Sequence, residues 1–329
     1  MVFKRLLGAI GVGGPTVDTV LDPTPVLPGG PLTGEVRLTG GKADFDIDHV
    51  TLDLLARVEA ETHEGEHEGT LSFERHTVGG GFRLREGESR VLPFSLTLPW
   101  ETPITELYGQ PLGIVLGVRT ELGVAGAKDK GDLDPLAVRP LPSQEAVLEA
   151  LGSLGFAFGS ADLEYGRIAG TAQALPCYQE IELAPAARYR DRMIELELTF
   201  LAGPTTLEVV LEADKRGGFL GGGGDAVRRF TLTHEAAAHT DLVPVVTDWI
   251  ETLLAGRTAH TVPAPYDHHA DHHPDKHEGH GRSGPGIGTA VAAGAAGLAV
   301  GVVGGMVAAE AVDEIGDWFE DEDEADDES

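Results

Sequence analysis

The 329-residue sequence predicts a mainly β protein: two tandem β-sandwich domains, a few short helices, and a Gly/Ala-rich helix towards the C-terminus. Three observations predict it. Apolar residues recur at every second position through most of the chain before Arg257, the period of half-buried antiparallel strands. Gly supplies 45 residues and Pro 20, while aromatics make up only 6%, as expected of short strands joined by many turns. The length exceeds one small core and fits two sandwich-sized units plus extensions.

The strand rhythm is clearest from Phe82 to Thr102. Phe82 and Leu84 alternate with Arg83 and Arg85, Glu86-Gly87-Glu88 forms a turn, and Val91, Phe94, Leu96 and Leu98 keep the apolar beat until Pro99. Before it, Phe3, Leu6, Leu7 and Ile10 share one side of a short helix with Lys4 and Arg5 opposite. That helix either packs on its own domain or touches a membrane. It lacks a full-length apolar region and a cleavage site, so it is not read as a signal peptide. Strands are expected over Thr16 to Leu21 and Leu32 to Leu38. From Ile47 to Glu59, Val50, Leu52, Leu54, Ala56 and Val58 alternate with a wet face of Thr51, Asp53, Leu55 and Arg57. A partner strand near Thr70 to Val78, and strands at Gly113 to Glu121 and Leu136 to Arg139, complete a first domain over 1–142.

The second domain is expected over 143–256. Ser143 reads as the N-cap of a connector helix that Gly155 stops. Strands follow at Cys177 to Leu183, Met193 to Phe200, Leu207 to Glu212 and Val227 to Thr233, with a Gly-rich tip over Gly217 to Gly224. Val245, Val246, Trp249, Ile250 and Leu253, at helical spacing, cap it. Residues 257–285 form a His-rich linker with little to bury, expected to be disordered. Residues 286–316 contain an uncharged Gly/Ala/Val run that, as a helix, measures roughly 35 Å, enough to cross a bilayer. Residues 317–329 are an acidic tail.

A formal net charge of -30 repels a polyphosphate backbone, and no basic stripe with aromatics offsets it, so nucleic acid is not an expected partner. Cys177 is the single cysteine, which excludes an intramolecular disulfide and fits a reducing, cytoplasmic setting. His63-Glu64-Gly65-Glu66-His67 matches the letters of a zinc-hydrolase motif, whose chemistry needs both imidazoles on one helical face and the glutamate beside the metal-bound water. The central Gly, the surrounding carboxylates and the flanking strands favour an acidic hairpin loop instead. His268, His269, His272, His273, His277 and His280 offer metal ligands, with pairs four apart at His268 and His272, His269 and His273, and His273 and His277, while Pro274 and Gly279 oppose a fixed cage. No cofactor is implied. Ala293, Gly297, Gly301 and Gly305 recur every four residues and draw a smooth seam along a helix. Such a seam suits self-association or a membrane-inserted helix, and both readings stand.

Three blocks resemble a known family. FRLREGESRVLPFSLTLPWETP looks like the arrestin-type strand pair, in which a Gly turn joins an aliphatic strand to a Pro-Phe strand ending at Leu-Pro. The first fifty-odd residues, MVFKRLLGAIGVGGPTVDTVLDPTPVLPGG onward, are similar to the opening of the bacterial sporulation-control proteins of the stage-zero M family. YRDRMIELELTFLAGPTTLEVVLEADKRGG resembles that family's second-domain hairpin. The likeness runs from about Met1 to Leu254 and stops short of the histidine tract. It implies an arrestin-like pair of β-sandwiches without catalytic activity, a scaffold or regulator acting on sporulation or cell division through protein contacts. It carries no active-site residues to transfer.

Overall fold

The structure, a computed structural model, describes residues 13–62, 65–214 and 226–255. Its strands are β1 (Thr16–Leu21), β2 (Pro31–Thr39), β3 (Phe45–Thr62), β4 (Gly65–Gly79), β5 (Phe82–Leu84), β6 (Ser89–Thr97), β7 (Glu106–Leu107), β8 (Gln110–Pro111), β9 (Leu116–Val124) and β10 (Lys130–Pro135). After helix α1 (Pro142–Leu154) come β11 (Ala157–Tyr165), β12 (Cys177–Ala184), β13 (Glu195–Ala202), β14 (Thr206–Asp214) and β15 (Ala226–Thr233), then α2 (His234–His239) and α3 (Leu242–Ala255). The protein is mainly β, as the alternation predicts.

A three-stranded sheet, β1-β2-β6, packs on the β10-β9-β3 part of a ten-stranded sheet. Leu32, Val36 and Leu38 face Leu52, Leu54, Val118 and Leu122 across this layer, and all are buried. The large sheet continues from β3 to β11 through a single parallel pair, Glu59 with Glu164, and then antiparallel through β12, β13, β14 and β15. Over that second part, α1 and α3 lay Val147, Leu151, Val246 and Ile250 on Ile181, Leu196, Leu198 and Leu211, extending the same core. Phe230 on β15 stacks on Trp249 at 4.9 Å between ring centres.

Several expectations need correcting. The two strands of the Phe82 to Thr102 stretch do not pair with each other: β5 joins β3 in the large sheet and β6 joins β2 in the small one. The turn at Gly87 (φ 67) carries the chain between layers, and the Glu88 carbonyl accepts the Gly40 N–H at 2.7 Å. The supposed wet face of β3 is largely dry, with Thr51, Asp53 and Leu55 buried, and the Arg75 and Arg119 side chains from the flanking strands lie across Asp53. The strands expected at Gly113 to Glu121 and Leu136 to Arg139 are shifted to β9 and β10. Val138 keeps only an isolated bridge to Val26. The N-cap of α1 is Leu141 rather than Ser143: Pro142 occupies the first helical position, and Gln144 Oε1 accepts the Leu141 N–H at 2.8 Å. β11 and α2 are additional to the expected elements, and β13 starts at Glu195 rather than Met193. The N-terminal helix, the Gly217 to Gly224 tip and everything beyond Ala255 lie outside the described residues. Among the described residues no helix is long and apolar enough to cross a membrane.

Candidate functional site

Three polar constellations stand out, and β-register builds each. In the first, Asp53 on β3 lies directly opposite Arg75 on β4 and Arg119 on β9. Arg75 forks onto the carboxylate through Nε and Nη2, the latter at 2.7 Å, and Arg119 Nη2 reaches Oδ2 at 2.7 Å. Burial by itself raises the Asp53 carboxyl, but the two guanidinium hydrogen bonds and charges outweigh it and hold it below the ordinary carboxylate value. The result is a fixed ionic staple across three strands.

The second constellation joins the two halves of the molecule. Beyond β6, Trp100 stacks on His234, with ring centres 6.0 Å apart. His234 Nδ1 lies 2.8 Å from the Ser143 hydroxyl and Nε2 lies 2.8 Å from the Gly203 carbonyl. A carbonyl can only accept, so Nε2 carries the proton and Nδ1 accepts from Ser143 in the neutral ring. Gly29 (φ 71) sits beneath Trp100, where a Cβ would run into the indole. Glu101 accepts the backbone N–H groups of Ala174 (2.8 Å) and Leu175 (2.9 Å). The Gln179 amide receives the Ile104 N–H and donates to the Ile104 carbonyl, both at 3.0 Å, imitating a strand pair.

The third lies on the outer face of β11, β12, β13 and β14. Register places Asp162 opposite Glu180, Glu182 opposite Glu197, and Glu197 opposite Glu212. One carboxylate oxygen from each of Asp162, Glu164 and Glu180 falls within 4.8 Å of the others, close enough to share a cation or a proton. Burial, followed by the charges of Glu197, Asp162, Glu164 and Glu212, pushes the Glu180 carboxyl up to about 9. Beside this face, Ile168, Tyr178, Leu201 and Val210 form a small second core. Cys177 lies on the opposite side of β12, and burial pushes its thiol up to about 12, which keeps it un-ionised at neutral pH.

The residues singled out from sequence fall elsewhere. His67 lies in strand β4, paired with Ala60, so it is not on the helix that a zinc-hydrolase motif requires. His63 and Glu64 lie outside the described residues, as do His268, His269, His272, His273, His277 and His280 and the Ala293, Gly297, Gly301 and Gly305 seam. The acidic face has a sequence signal: Asp162-x-Glu164, Glu180-x-Glu182 and Glu195-x-Glu197 repeat an acid at period two in successive strands. The joint has none, because Ile104 and Gln179 are 75 residues apart.

Stacked sheets, a bridging helix and a polar joint between two halves define an arrestin-like, strand-built protein. A sequence model of the SpoOM protein family matches residues 3–217, and the chain belongs to that family. It is 36% identical over 215 residues to the sporulation-control protein spo0M of Bacillus subtilis, spanning 65% of this chain and 81% of that one. The crystal structure of Spo0M from Bacillus subtilis superposes with a TM-score of 0.65 at 31% identity, covering 74% of this chain and all of that one.

Proposed function

We propose that this chain is a non-enzymatic scaffold of the sporulation-control family, working through protein–protein contacts in sporulation or cell division. The observation that supports this most is the build of the large sheet. Among the described residues β15 ends it and β4 pairs with β3 alone, and such strand edges can take up a segment of another protein. The two halves, 1–142 and 143–256, act in this reading as two domains held by the Trp100–His234 and Glu101–Ala174 contacts. The setting is cytoplasmic, and the seam over 286–316 gathers copies or tethers them to a membrane. The net charge of -30 disfavours nucleic acid as a partner.

Proximity labelling in living cells, with the full chain and with the chain ending at residue 285, tests both levels. A reproducible set of labelled proteins above a tag-only control is expected with the full chain; no such set sinks the scaffold reading. Cell fractionation of the same two chains should show lower membrane association or smaller oligomers after truncation. Identical behaviour removes the role given to the tail.

A further inference from the structure

The geometry points to an apolar groove between the β7–β8 hairpin, α1 and the β11–β12 pair as the docking site of this chain's own uncharged segment, residues 286–309. The inference is independent of the scaffold reading, and either can fail without the other. The groove encloses about 190 Å³, and Leu107, Tyr108, Leu148, Phe156 and Phe158 are among its walls. Two of those walls are large apolar side chains left in water, Tyr108 at 61% and Phe158 at 46% exposure. Tyr108 also holds φ 53, a left-handed conformation that an aromatic residue rarely adopts, and its hydroxyl donates to Glu149 Oε1 at 3.2 Å. On the same side of α1, a Cβ placed on Gly152 would meet nothing within 4 Å, so the helix leaves open space where the groove needs it.

The occupant follows from reach and charge. The chain leaves α3 at Ala255, beside the groove: Glu251 binds Arg192 at 2.9 Å, the Arg192 N–H donates to the Tyr189 carbonyl at 2.8 Å, and the Tyr189 ring lies 5.7 Å from the ring of Phe156. Thirty residues, 256–285, separate Ala255 from Gly286, and a chain of that length behaving as a random coil spans roughly 30 Å on average. It holds the following segment near the groove at an effective concentration on the order of millimolar. Gly286 to Ala309 carries no charge and supplies Leu298, Val300, Val302, Val303 and Met306. Trp318 and Phe319 are flanked by carboxylates, which Glu145 and Glu149 on α1 repel. Residues 1–12 join the fold at Gly13, whose carbonyl accepts the Lys42 N–H beyond the Phe45 end of β3. The groove lies past Leu116, which pairs with Ala56, roughly 35 Å along that strand. Twelve residues span that distance only when almost fully extended, at roughly 40 Å. Docking in cis would withhold residues 286–309 from a membrane or from a second copy.

The test uses the full chain with Tyr108 replaced by the photo-crosslinking residue p-benzoyl-phenylalanine, prepared as a mixture of light and heavy-isotope copies. Illumination should join position 108 to peptides within 286–309 of the same isotope, and Gly152→Trp or Phe158→Glu should lower that yield at least fivefold. A melting curve identifies which of these two variants remains folded. The proposal is overturned by crosslinks to residues 1–12 or 313–329, by mixed-isotope pairs, by no crosslink, or by yields that a folded groove variant leaves unchanged.

Discussion

Asp53 and Glu180 occupy similar places on one ten-stranded sheet, each on a strand flanked by two others, and their surroundings treat them in opposite ways. Asp53 is fully buried, yet its carboxyl is held low because β4 and β9 each bring an arginine into register. Glu180 meets other carboxylates from β11, β13 and β14 and is pushed up to about 9. Burial raises both; the difference lies in what the neighbouring strands present. The first half of the molecule is thereby stapled by charge, while the second carries an acidic face on which burial and neighbouring carboxylates push the Glu180 carboxyl up.

Removing the staple should have the largest effect. Arg75→Met with Arg119→Met strands a buried carboxylate and should cost about 3 kcal/mol at pH 7, the low end for a broken buried pair because Arg75 is half in water. In the native protein the Asp53 contribution is present above the ordinary carboxylate value, near 3.8, and fades as pH falls through its lowered folded value. In the double variant the sign reverses, since only burial is left to act on Asp53. Denaturant unfolding should therefore show a smaller loss at pH 5 than at pH 8; an equal loss at both would mean that Asp53 is not the stranded group.

Glu180→Gln should act in the other direction. A carboxyl whose folded value is raised favours the native state at low pH, and that contribution is lost as pH climbs from about 4.5 to about 9. The Gln variant removes this loss. It should be more stable than the native chain by on the order of 2 kcal/mol at pH 9, with the gap closing towards pH 5. A pH-independent gap would put the cause in packing rather than charge.

The smallest effect is expected where the two halves meet. Gln179→Ala removes both hydrogen bonds to Ile104 and should cost about 1 kcal/mol, because each net bond is modest and the site is only half-buried. Hydrogen exchange should show faster opening at Ile104 while the Asp53 strands keep their protection. If the loss spreads evenly over both halves, the joint is not a local element.

Much of the fold is legible in single strands. Leu196 and Leu198 against Glu195 and Glu197 announce strand and core face by alternation alone, whereas in β3 the alternation announces the strand but not the burial of Thr51, Asp53 and Leu55. The polar constellations are much less so. Asp53 looks like a solvated residue because its arginines come from positions 22 and 66 residues away. The acids of β11, β12 and β13 are visible one strand at a time, but their convergence depends on strand order. The HExxH letters from His63 to His67 match a helical motif, but His67 lies in a strand paired with Ala60. Family likeness was legible in three blocks, because the turn and strand residues of each block sit close together in the chain.

The amino-acid order alone determined the β character, many of the core-facing positions, and the connector and capping helices near Ser143 and Trp249, since each depends on neighbours within a few residues. Tertiary structure alone decided that β5 and β6 part company into different sheets, that Asp53 is paired, and that Glu180 is crowded by its own kind. Side chains alternate locally, but register and sheet order are set by contacts between strands far apart in sequence, and the fate of a charge depends on those contacts.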